Sequence, residues 1–388
     1  MRQTAHILST YSADTFGVCS ALFELGGMVI MHDASGCNST YTTHDEPRWY
    51  DMDSLLYITG LSEIEAIMGD DDKLIRDIVT AAQELHPKFV ALCGTPIPTM
   101  IGTDFTAVAK VIEARTGIPA LGIPTTGMNP YTHGIDRALC QLAERFVEPA
   151  EVIPGTANIL GLTPLDFSTN GQDRSIVKAV EAQGYAVLSR WAMGSSLEEL
   201  AKAAVAEVNF VVSSAALGLA RQLKRQFGTP FRVGLPMGGR WIDLTEEFEG
   251  KNYGEPAPVF EQWSNGGAAS APAAGAEGLS CGSAGSEPAA PSIRVFGEAV
   301  YSAALARDIE VQTGLSAIGI DATELWEDDV MGLMRGAQII IADPMFEPVC
   351  PKDARFIGLP HEACSGRIYR DGIPDLMTDN IILQEVTK

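Results

Sequence analysis

Short apolar runs alternate with longer stretches of helical periodicity along most of this chain, and that alternation restricts the possible folds more than any other feature. "AHILST", "MVIMHD", "KFVALCG" and "IPALGIPTTG" read as strands. "DTFGVCSALFELGG", "DDKLIRDIVTAAQELH", "FTAVAKVIEARTG" and "GIDRALCQLAERFV" read as the helices of the same block. Strands joined through helices pair in parallel, because the crossover returns the chain to the same end of the sheet. Gly26, Gly27, Gly117, Gly184, Gly228 and Gly314 stand where helical stretches end, the position of a left-handed C-terminal cap.

The pattern repeats twice more. A second block runs from "ANILGLTPLDF" to near Pro258, with Ser196 and Glu199 spaced as a capping box. Composition then shifts: "SNGGAASAPAAGAEGLSCGSAGSEPAAPS" has little to bury and reads as a linker or surface loop. The βα pattern resumes with "IRVFGEAVYSAALARDIEVQTG" and "GAQIIIADPMFEPVC". The expected fold is α/β, with three Rossmann-like αβα domains and parallel sheets: residues 1–152, 153–258 and a shorter 293–388, with residues 259–292 as the linker.

Twenty-seven basic against 50 acidic residues give a net charge of −23, which opposes binding to a phosphate backbone, so no nucleic-acid partner is expected. No apolar run is long enough to span a membrane, and the N-terminus lacks the apolar core of a signal peptide, so the expected location is cytoplasmic and off the membrane. Seven cysteines are scattered without a CxxC pair, which removes the strongest signature of a self-contained zinc or ferredoxin-type site.

In open parallel sheets ligands gather beyond the carboxyl ends of the strands. The first block's loops there carry Tyr11, His32, Cys37, His44, Cys93 and Asp104. Cys37 stands out because Ser35, Gly36, Asn38 and Ser39 let the backbone approach a bound sulfur or anion; ligation and a plain half-buried thiol are both open there. Cys93 ends an apolar run and Cys19 lies among apolar helix positions, so core packing competes with ligation for each. Cys350 and Cys364, with His361 close by, form a possible second site. His44 and His133 read as surface or loop histidines, and Asp70, Asp71 and Asp72 as favourable charge at a helix N-terminus. No GxxxxGK[ST] loop is present, and "GLPMGGRW" lacks the lysine, so no nucleotide is expected on this chain.

The succession "GGMVIMHDASGC", "LLYITGLSEIEAIMGDDDKL", "KFVALCGTPIPTMIGTDF" and "GIPALGIPTTGM", followed by "LKRQFGTPF" and "GLPMGGRWIDLTEEF", resembles the nitrogenase component 1 type oxidoreductases. The resemblance implies that fold, with an iron-sulfur cluster, [4Fe-4S] in type, at the interface of two homologous subunits, whether a homodimer or a heterodimer. It also implies an ATP-dependent iron protein as electron donor. The family's middle cluster cysteine falls on Cys37. The first falls on or beside Tyr11, the third on Thr95 or Pro96, and a fourth near Leu56 or Tyr57. Cys37 is thus the one clean ligand match, with Gly36 beside it; Cys93, Cys19, His32 or Asp33, or the partner, would complete the set. Cys281 and His361 lie in the regions where the family holds its catalytic metallocluster. The resemblance points to a subunit that reduces a small-molecule substrate. The alternatives are a non-catalytic scaffold for metallocluster assembly and a small-ligand-binding protein without a cluster.

Overall fold

The computed structural model describes residues 6–7, 10–36, 38–69, 71–250 and 292–388. Three separate sheets form along the chain. The first contains β1 (Met28–His32), β2 (Leu55–Ile58), β3 (Val90–Gly94) and β4 (Ala120–Ile123), in the order β2-β1-β3-β4. The second contains β5 (Ile153–Leu160), β6 (Ala186–Arg190), β7 (Ala206–Val211), β8 (Phe231–Met237) and β9 (Arg240–Asp243), in the order β6-β5-β7-β8-β9. The third contains β10 (Ile293–Gly297), β11 (Ala317–Asp321), β12 (Ile339–Ala342) and β13 (Arg355–Gly358), in the order β11-β10-β12-β13. Every pairing is parallel except β8 with β9. β1 and β3 are buried at every residue, as expected where helices cover both faces of a sheet.

Helix Asp71–Leu85 shows how the sequence makes these layers: Leu74, Ile75, Ile78 and Ala82 fall on one helical face and pack on Met28, Ile30, Val90 and Leu92. Ser196 and Glu199 form a reciprocal capping box, as do Ser62 and Glu65. Gly117, Gly228 and Gly314 are left-handed C-caps. Gly27 differs from the expectation. Its φ is not positive, and it is glycine for space, since a Cβ there would lie 2.2 Å from the Phe89 ring. "GLPMGGRW" is the β8–β9 hairpin, with Gly238 (φ 53°) and Gly239 (φ 81°) supplying the two left-handed turn positions.

The strand reading missed β2, while half of "AHILST" lies outside the described residues and the other half is in no strand. Helices Asp14–Leu22 and Tyr131–Phe146 meet backbone to backbone. A Cβ on Gly17 would sit 2.0 Å from the Tyr131 carbonyl oxygen, and one on Gly134 1.8 Å from that of Asp14. Among the described residues no helix is long and apolar enough to cross a membrane.

Candidate functional site

β1 ends at His32, and Asp33 organises the loop that follows. One carboxylate oxygen of Asp33 accepts from Asn38 Nδ2 at 2.9 Å and from Gly36 N at 3.3 Å; the other accepts from Thr95 Oγ1 at 2.8 Å. Ser35 takes φ 69°, and a Cβ on Gly36 would meet nothing within 4 Å. Asp33 thus holds Gly36 and Asn38 and ties them to Thr95 at the start of the loop after β3. Cys37 itself lies outside the described residues, as do Asp70 and Cys281.

The other predicted donors of this domain are spread apart. Cys19, on the buried helix Asp14–Leu22, adjoins Cys93 in the core: Cys93 Sγ donates to the Ile30 carbonyl at 3.5 Å, and burial pushes the Cys19 thiol well up. His32 bonds Thr59 Oγ1 through Nδ1 at 2.8 Å, and burial pushes it down to about 4. It lines a separate groove of about 190 Å³ with Tyr57, Glu65 and Lys73. Asp104 caps helix Phe105–Thr116. Among the described residues, no three His, Cys, Asp or Glu side chains converge on a metal-sized site.

The densest chemistry lies where the carboxyl ends of the second and third sheets meet helix Tyr131–Phe146. Asp166, in the short helix Pro164–Phe167 after β5, accepts from Tyr131 Oη at 2.5 Å and stands 3.6 Å from His361 Nε2. Glu298, directly after β10, accepts from Ser214 N at 2.7 Å and Tyr301 N at 2.9 Å, tying the third sheet to the second. Asp321 ends β11 and accepts from Thr323. Burial pushes Asp166 up and Asp321 up to about 6, while burial and the Asp166 carboxylate push Glu298 up to about 8. Burial pushes His361 down to about 4, so its ring is neutral near pH 7. Ser168, 1% exposed, is held at φ 53° and ψ −163°, a conformation that costs a non-glycine residue about 1–3 kcal/mol and that concentrates at functional sites.

His133 is a correction to the surface reading. It is buried, its Nε2 lies 2.7 Å from Glu324, and its Nδ1 has no hydrogen-bond partner. Of the second predicted group, Cys364 joins His361, while Cys350 packs apart against the outer core of the third sheet.

A cavity of about 560 Å³ opens beside this junction. One wall is the segment just after position 37, with Thr40, Tyr41, His44 and Asp45; the facing wall is the turn carrying Glu362, Cys364 and Arg367. Tyr11 Oη donates to Asp45 at 2.7 Å on the first wall, and its backbone N–H donates to the Ala363 carbonyl on the other. The first wall is braced from behind by Arg48, which bonds Glu46 at 2.6 Å, Glu24 at 2.9 Å and the Ser20 and Ala192 carbonyls. Asp166, Glu298 and Asp321 were missed at the sequence level. Each follows an apolar strand directly or within a short loop, the same signal that drew attention to the first block.

The sequence model of the nitrogenase component 1 type oxidoreductases matches residues 14–247. The chain belongs to that family. Similar members include the nitrogenase iron-molybdenum cofactor biosynthesis protein NifE of Nostoc sp., 25% identical over 190 residues covering 48% of this chain and 38% of that protein. NifE of Klebsiella pneumoniae is 27% identical over 198 residues, 47% of this chain and 42% of that protein. The chain therefore spans less than half the length of these curated relatives. The solved structure titled nitrogenase Cp1 at pH 6.5 superposes with a TM-score of 0.51 at 18% identity, over 61% of this chain and 48% of that one, and shares the fold.

Proposed function

We propose that this family member is a non-catalytic scaffold that holds an iron-sulfur-type metallocluster during cofactor assembly and passes it on. The observation that carries the reading is the cavity whose one wall begins three residues after Cys37 and whose other wall holds Cys364. The relatives named as cofactor biosynthesis proteins support it over reduction of a substrate. The donor set fits sharing better than self-sufficiency. Asp33 braces Gly36 and Asn38 on either side of Cys37 in sequence, Thr95 occupies a position where the resemblance places a ligand, and Cys19 and Cys93 are turned into the core. A homologous subunit would then supply the remaining ligands. Exposed Ile64, Ile67, Met68, Ile97, Met100 and Ile101, on the helices following β2 and β3, give such a subunit an apolar face at the same end of the first sheet.

The test is anaerobic reconstitution with ferrous iron and sulfide, followed by mixing with a cofactor-free acceptor of the family. Iron that loads, depends on Cys37 and moves to the acceptor is the expected result. Sustained product formation that needs an ATP-dependent iron protein would instead favour a reductase subunit. Failure to load any iron, with a small ligand still bound, would leave a cluster-free binding protein.

A further inference from the structure

The groove that His32 lines is separate from the cavity beside Cys364 and shares no lining residue with it. It runs between β1, the edge strand β2 and helix Asp71–Leu85. Ile30 supplies the sheet side of its apolar floor, and Leu74 and Ile78 supply the helix side. Tyr57, the register partner of Ile30, stays 41% exposed along it.

His32 stands where the strands end, and its ring is fixed. Nδ1 lies 2.8 Å from Thr59 Oγ1, which also accepts from Asp33 N at 3.2 Å. The ring meets Phe105 edge-on, with centroids 6.4 Å apart. His32 is only 5% exposed, yet among the described residues its Nε2 has no hydrogen-bond partner. A buried ring nitrogen left alone is costly, and this ring borders open space.

The surroundings restrict what can occupy that space. Burial holds His32 down to about 4, so near pH 7 the imidazole is neutral and offers an anion no countercharge. At the rim a single ammonium, Lys73, is shared by Glu65 at 3.0 Å and Asp77 at 3.1 Å, which leaves that end net negative. A cation lying on the apolar floor would lose its hydration without compensation. A hydroxyl, by contrast, both donates and accepts, so it satisfies Nε2 in either tautomer. An apolar cavity of about 150 Å³ holds benzene, so a groove of about 190 Å³ takes one ring with a short polar arm.

We infer that this groove is a binding site for an uncharged single-ring alcohol or phenol, its ring on Ile30, Leu74 and Ile78 and its hydroxyl on His32 Nε2. The inference goes beyond the cluster-holding reading and does not depend on it: the site uses neither Cys37 nor the larger cavity, and it needs no iron.

The test uses the full chain without iron, with para-fluorobenzyl alcohol as the probe, titrated by fluorine NMR near neutral pH. Para-fluorotoluene and para-fluorobenzoate are the comparisons. Saturable binding of the alcohol, about fivefold tighter than either comparison, is expected from one added hydrogen bond in an uncharged site. Nitrogen NMR of histidine-labelled wild type should show the His32 Nε2 resonance move on adding the alcohol, a readout that needs no variant. Ala81→Phe fills the groove from the helix side and should weaken the alcohol by about tenfold or more. His32→Phe should erase the alcohol's advantage over fluorotoluene. Wild type that does not bind the alcohol saturably, benzoate binding tighter than the alcohol, an unmoved Nε2 resonance, or Ala81→Phe binding as wild type overturns the inference. Iron that loads in a chain that ignores the alcohol sinks this site and leaves the cluster reading standing; alcohol binding in a chain that loads no iron does the reverse.

Discussion

Arg48 fastens the first sheet's layer to the second, and Glu298 fastens the third to the second, each through a buried ionisable side chain. Arg48 faces two carboxylates and two carbonyls, all within hydrogen-bonding distance of its guanidinium. Glu298 faces backbone N–H groups and a second acid, Asp166. Among the described residues no arginine or lysine pairs with either. One seam is therefore closed by a guanidinium among carboxylates, and the other by acids that fold most favourably while they keep a proton. Sheet packing alone does not distinguish them; their response to mutation and to pH does.

Breaking the paired seam should have the largest effect. Arg48→Met leaves Glu46 and Glu24 buried without their cation and should cost roughly 3–5 kcal/mol, read as a lower midpoint in urea. Next is the pH dependence of the acid seam. Glu298 is held up to about 8 in the fold against an ordinary value of 4.5, so the stability it lends is complete below pH 4.5. As pH rises the unfolded chain ionises first, and that stability is lost between pH 4.5 and about 8, by up to ~1.4 kcal/mol per unit; Asp166 acts in the same direction. Urea unfolding across that window should show the decline in wild type and a shallower one in Glu298→Gln. An unchanged slope would erase the contrast between the seams.

Two uncharged changes calibrate it. Gly17→Ala pushes a methyl into the Tyr131 carbonyl and should cost about 1–3 kcal/mol at every pH. Ser196→Ala removes a helix cap remote from both seams and should cost ~1 kcal/mol, also independent of pH. A pH-dependent penalty in either would mean that the acids are coupled to the whole fold rather than to their own seam.

The parallel layers were legible because β1 and β3 are nearly continuous apolar runs, and Gly117, Gly228 and Gly314 mark where helices must stop. β2 was not, although Leu55–Ile58 is apolar throughout, because it is a four-residue edge strand with a single buried residue. The candidate site was half legible. The Cys37 loop stood out by its small residues, but the bracing by Asp33 depends on Thr95, far along the chain. Asp166, Glu298 and Asp321 are single acids after apolar strands. Only the meeting of sheets that are remote in sequence turns them into a cluster, brings His361 to Asp166 and places Cys364 on the wall of a cavity. His133 misled for the same reason, since nothing near it in sequence shows that the third sheet covers it.

The glycine contact between helices Asp14–Leu22 and Tyr131–Phe146 has an evolutionary consequence. With main chain touching main chain at Gly17 and Gly134, that seam has no side-chain volume to trade. Sequence change is thereby shut out of that seam, and adaptation of the cavity to a larger or smaller cargo falls on residues that line it away from the seam, such as Thr40, Met345 and Ile368.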